Sequence, residues 1–120
     1  MTSGHCPTYL ANRTDREVVV DVVRHSCSGR HVAERTGFVL RAGERVYVFG
    51  ARFDDDAEPG RDQWYVEFTC EGRAYRPRDN FHCDLSVEDD GTDVELAFTW
   101  DRFSASHVSV SCDTKIRERR

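Results

Sequence analysis

Lysine is almost missing from this chain: Lys115 stands alone against sixteen arginines spread along the whole length. So even a spread reads as coding bias before it reads as a basic function. The formal net charge of −5 removes general nucleic-acid binding as a first reading. No apolar run approaches the ~20 residues of a membrane span, and no charged n-region with an apolar h-region opens the sequence. No partner membrane is therefore expected. Glycine pairs with the spacing of a dinucleotide or phosphate loop are missing, as are G-x-S-x-G and HExxH. Those absences remove the enzyme classes that leave local signatures and lean the reading away from catalysis. Five cysteines are present (Cys6, Cys27, Cys70, Cys83, Cys112), an odd number at irregular spacing with no CxxC. This matches a secreted disulfide framework poorly. Free thiols in a reducing cytoplasm are the expectation, with Cys70, Cys83 and Cys112 serving as small hydrophobes on apolar lanes.

What the chain does contain is period-two alternation. Trp64, Val66, Phe68 and Cys70 alternate with polar or half-polar neighbours, as do Phe81, Cys83, Leu85 and Val87. Val94, Leu96, Phe98 and Trp100 repeat the pattern, followed by Val108, Val110 and Cys112. Each run predicts a half-buried strand. Earlier, the β-branched stretch 17–25, the pair 37–40 and 44–49, and a short opening strand 8–11 point the same way. In the segment 46–49 both parities are apolar (Val46 and Val48, Tyr47 and Phe49), which suggests a strand buried on both faces. Glu71-Gly72 and Asp90-Gly91 supply hairpin turns. No 3.6 period appears. The chain reads as a single all-β domain over 1–120, an antiparallel β-sandwich of about 7–9 strands, Ig-like or jelly-roll-like, with 113–120 a flexible basic tail.

Residues 12–20, Asn12 through Val20, followed by Leu40-Arg41-Ala42-Gly43-Glu44, are similar to a recurring opening of immunoglobulin-like and prealbumin-like sandwiches. The stretch Gly50-Ala51-Arg52 looks like part of aegerolysin-type membrane-binding sandwiches. Both resemblances imply a β-sandwich, and neither carries a functional residue across.

The sharpest functional feature is acidic. A two-residue turn at Asp90-Gly91 would set Val87 against Val94 and Leu85 against Leu96, all on one side. Asp84, Glu88, Asp93 and Glu95 would then crowd the other side, in a span from 84 to 101 holding seven acidic residues and no basic one. Like charges facing across strands cost a few tenths to about 1 kcal/mol. Such a face suits a cationic partner, so the leading expectation is a non-catalytic interaction or accessory module. It would bind a protein with a basic surface through Asp84, Glu88, Asp93 and Glu95, with the 54–62 loop as a second contact.

Two alternatives come from other classes. His25, Cys27 and His31 form an H-x-C-x₃-H run able to supply three N/S ligands, which would make a small zinc-type protein or enzyme. Exposed aromatics would suit a membrane- or glycan-binding sandwich. Asp54, Asp56 and Glu58 have the opening spacing of a calcium loop, but Pro59 and Tyr65 stand where Gly and Glu are required, so the segment reads as a solvated loop. Arg73, Arg76 and Arg78 form one basic cluster, in which the Glu71-Gly72 turn sets Arg76 opposite Glu67 as an ordinary cross-strand pair. The basic tail, Lys115, Arg117, Arg119 and Arg120, could touch phosphate or an acidic neighbour, including a second copy in a homo-oligomer.

Overall fold

The computed structural model describes residues 2–55 and 60–119. Among these the chain forms nine strands: β1 (Thr2–Asn12), β2 (Val18–Cys27), β3 (His31–Leu40), β4 (Arg45–Asp55), β5 (Asp62–Cys70), β6 (Arg73–Pro77), β7 (Val94–Phe98), β8 (Arg102–Ser106) and β9 (Ser111–Arg119). No α-helix is present among the described residues, and none is long and apolar enough to cross a membrane. A single 3₁₀ turn spans Val87–Asp89.

The all-β reading holds, but the arrangement is not two separate sheets. The strands run in one hydrogen-bonded order, β3-β2-β5-β6-β9-β8-β7-β1-β4. Among the described residues only β1 and β7 pair in parallel; the other ladders are antiparallel. The outer strands β3 and β4 approach each other, and Arg35 on β3 donates to the Tyr47 carbonyl on β4 at 3.0 Å. The sheet is therefore nearly closed and barrel-like, an arrangement that leaves little free edge. Strand β9 accounts for the difference from a sandwich. Its first half pairs with β8 and its second half with β6, so it carries the ladder round the corner. Residues 111–119 are thus a paired strand rather than a loose basic tail.

Two bulges decide which side chains enter the barrel. In β4, Phe49 faces Thr8 and Tyr47 faces Tyr9, which leaves Val48 as the extra residue. An inserted residue flips the parity of the residues beyond it. Val48, Phe49, Ala51 and Phe53 are consequently all buried while Tyr47 stays half exposed. The doubly apolar segment is explained by a bulge, without a second layer. In β2, Asp21 is the extra residue opposite β5, between Val20 facing Phe68 and Val22 facing Glu67. Burial moves from Val18 and Val20 to Val23, His25 and Cys27, and so a histidine and a thiol face inward.

The core gathers Leu10, Val20, Val66, Leu96, Phe98 and Phe103, with Phe68 stacked on Phe98 at 4.2 Å between centroids. Cys83 and Cys112 form a disulfide, with Cα atoms 5.9 Å apart, which corrects the free-thiol expectation for these two. Cys6, Cys27 and Cys70 are free.

Asn12 shows how a polar residue can hold an inner position. It is fully buried; its amide donates to the carbonyls of Arg16 and Leu40, and its oxygen accepts from the Thr14 amide and hydroxyl. Asn12→Ala strands these partners and is expected to cost about 2 kcal/mol, since unpaired buried polar groups lose their solvation without return. Urea unfolding checks this. An unchanged midpoint would mean the turn finds other partners.

Candidate functional site

The acidic hairpin expected at 81–100 does not form. Phe81, Cys83 and Leu85 are buried and alternate with more open neighbours, so the apolar lane is real. It pairs with nothing in β7, however. The segment lies along the start of β5 instead: Trp64 donates its amide to Phe81 and its indole N–H to the Cys83 carbonyl, and the Cys83 amide donates to Asp62. Strand β7 pairs with β8 and β1. The reason is local. Ser86 and Asp89 close the turn on each other: the Ser86 amide donates to the Asp89 carboxylate at 2.8 Å, and the Asp89 amide donates to the Ser86 backbone carbonyl at 2.9 Å. Side-chain bonds of this kind compete with a ladder and turn the chain into 3₁₀ geometry. The strand expected over Val108–Cys112 forms only from Ser111 onward, as the start of β9: 107–110 is a turn, and Val108 and Val110 are exposed.

The four predicted carboxylates accordingly part company. Asp84 accepts from the amides of Gly60 (2.7 Å) and Asp62 (3.0 Å), so it anchors the entry to β5. Glu95 is neutralised by Arg45 at 2.7 Å, whose guanidinium lies 3.8 Å from the centre of the Tyr9 ring. Glu88 and Asp93 remain at the surface, near Asp90, at the 3₁₀ end of the barrel. Asp56 and Glu58 lie outside the described residues.

Of the proposed zinc ligands, His25 and Cys27 share the inner face and His31 pairs opposite Cys27 across the β2–β3 turn. His25 is committed elsewhere: its Nε2 lies 2.8 Å from Asp62, both side chains are fully buried, and its ring tilts against Trp64. His31 lies 3.2 Å from Asp54. Among the described residues no group of three His, Cys, Asp or Glu side chains is placed to hold a metal ion. Burial raises the Cys27 pKa, and burial together with Asp89, Asp90, Asp62 and Asp93 pushes the Cys6 thiol up to about 12. Neither thiol has the electropositive setting of a nucleophile.

A cluster with no counterpart in the sequence-based expectations lies at the same end. Asp89 is fully buried and binds the Ser109 amide (2.9 Å) and hydroxyl (2.6 Å), with His107 Nδ1 at 3.4 Å. Burial works to raise its pKa. The Ser109 hydroxyl, the Ser86 and Ser109 amides and His107 outweigh it, holding the carboxyl below its ordinary value. The three residue types are those of a hydrolytic triad, but the order is wrong. The serine hydroxyl is tied directly to the carboxylate, and one ring nitrogen, His107 Nδ1, faces both, 3.0 Å from Ser109 and 3.4 Å from Asp89. The histidine therefore does not bridge them through its two nitrogens as a triad base does. The arrangement is a clamp joining the 87–89 turn to the 107–110 turn. Ser86-Val87-Glu88-Asp89 is the sequence signal for it, a serine three residues before an acid.

The clamp presents three exposed valines on its two turns: Val87 (57%), Val108 (65%) and Val110 (43%). Glu88, Asp90 and Asp93 reach the surface on the same connection. No protein-family model matches this chain, and no curated protein matches it.

Proposed function

We propose that this domain is a non-catalytic interaction module that docks a protein partner with a basic surface on the clamped end of the barrel. The observation that carries the reading is the exposure of Val87, Val108 and Val110 on turns fixed by Asp89. Large apolar side chains on pre-ordered turns bind at low entropic cost, and a charged rim adds specificity and encounter rate. Glu88 and Asp93 supply that rim, with Asp90, whose carboxylate also accepts from the His5 amide at 2.9 Å, exposed beside them. Asp84 and Glu95 are held by partners on other strands and loops and belong to the scaffold. The Cys83–Cys112 bond favours an oxidising compartment over the reducing cytoplasm that the cysteine count suggests.

Crosslinking with mass spectrometry on the captured partner tests this. Val108→Ser with Val110→Ser is expected to weaken capture about tenfold, the scale of a central apolar contact. Glu88→Gln with Asp93→Asn is expected to weaken it less and to flatten its salt dependence. Asp84→Asn and Glu95→Gln serve as controls and should leave capture by folded protein unchanged. Full recovery with both the valine and the acidic variants would remove the reading.

A further inference from the structure

We propose that the groove on the outer face of β5 and β6 binds a phosphate- or sulfate-type oxyanion through Arg24, Arg76 and Arg78. This site shares no residue with the proposed docking end and does not depend on it.

The groove arises from topology. Strands β5 and β6 pair from Phe68–Tyr75 to Cys70–Arg73. Beyond that the chain leaves β5, binds β9 through the Arg78 amide and the Lys115 carbonyl, and returns where Trp64 meets Phe81 and Gln63 meets His82. The detour leaves an open groove of about 250 Å³ lined by Arg24, Ser26, Gln63, Tyr65, Arg76 and Arg78, with Asp79 beside them. Liquid water takes about 30 Å³ per molecule, so a tetrahedral oxyanion fits with room for the group that carries it.

The guanidinium groups there have few carboxylate partners: Arg76 hydrogen-bonds the Tyr65 hydroxyl, which itself donates to Glu67. Arg24 has a long contact to Glu34, at 4.0 Å. Arg76 sits directly opposite Arg117 on β9, and Arg102 sits directly opposite Lys115 further along the same strand. Like charges facing each other across a ladder are destabilising, yet this acidic chain sets two such pairs side by side. Nearby carboxylates are already engaged: Glu67 pairs with Arg119 at 2.7 Å and accepts from the Tyr65 hydroxyl at 2.9 Å, and Asp113 lies 3.5 Å from Arg102. Among the described residues lining the groove, Asp79 is the single carboxylate against three guanidinium groups.

The chemistry suits an oxyanion. Guanidinium forks bind tetrahedral oxyanions through paired, charge-assisted hydrogen bonds, and Ser26 and Gln63 add neutral donors. Arg24 lies over the Tyr65 ring, 5.2 Å from its centre, which gives its side chain a seat. The chain at 78–81 bounds the groove on one side, so it offers a pocket for one anionic group more than a track for a polymer.

An amide NMR titration with inorganic phosphate, inorganic sulfate and phenyl phosphate, against chloride at matched ionic strength, tests the site. Saturable shifts are expected at Gln63, Tyr65, Arg78 and Asn80. Arg76→Gln and Arg78→Gln should each weaken binding about tenfold, and Arg78→Lys should fall between, since it keeps the charge and loses the fork. Arg52→Gln is the distant control. Tighter phosphate binding as its second proton leaves would mark a phosphate site; stronger sulfate binding would mark a sulfate ester site. Shifts shared equally with chloride, binding of heparin or DNA without any phosphate or sulfate response, or variants that bind as the parent does would each overturn the proposal.

Discussion

Removing the Cys83–Cys112 bond, by reduction or by the double change to alanine, is expected to lower Tm by about 12–16 °C. The two cysteines are 29 residues apart, so the bond closes a long loop of the unfolded chain. Loop-closure entropy for that length corresponds to about 3–4 kcal/mol. Alanine at Cys83 leaves no unpaired polar group, while loss of a nearly fully buried sulfur adds a packing cost on top of the entropic one. The bond also ties the extended 81–86 segment, which has no ladder of its own, to β9. Alkylation under denaturing conditions should label three thiols without reductant and five after reduction. Five labelled thiols without reductant, or a Tm indifferent to reduction, would remove both the bond and its contribution.

Legibility in the sequence depends on the range over which each feature is determined. The β5 alternation and the Glu71-Gly72 turn are local, and both appear in the fold as the sequence predicts: Glu71 and Gly72 have φ of 51° and 79°, as a tight hairpin turn needs. The lane Phe81–Leu85 is buried as its pattern predicts, but alternation reports burial and not the identity of the neighbouring strand. Its partner is decided by Ser86 and Asp89, whose mutual hydrogen bonds end the strand before any hairpin can close. The bulges at Asp21 and Val48 leave no mark in composition, and one of them turns His25 and Cys27 inward to Asp62 instead of outward to a metal. Cysteine pairing depends on a Cα separation that only the tertiary fold sets. The predicted acidic site fails in part for the same reason: Arg45, which neutralises Glu95, comes from a strand 50 residues away.

Asp89→Ala is expected to cost about 3–5 kcal/mol, a large share of the ~5–15 kcal/mol that holds a domain of this size together. Alanine would leave the Ser86 amide, the Ser109 amide and the Ser109 hydroxyl without the acceptor they share. Asp89→Asn keeps the shape and one acceptor oxygen and should cost less. The charge also predicts a pH signature. The folded carboxyl titrates below its unfolded value of 3.8, so its contribution is complete above that pH and drains away as pH falls through the folded pKa. The parent should therefore lose stability steeply on the acid side of pH 3.8, and Asp89→Asn should flatten that limb while matching the slope of the parent at neutral pH. Equal acid limbs in urea unfolding from pH 2 to 7 would show that the clamp does not act through its charge. The same variant separates stability from binding. If Asp89 serves to pre-order the valine turns, Asp89→Asn should lose partner capture at temperatures where the protein is still fully folded, because the entropy of ordering two freed turns then opposes the binding step.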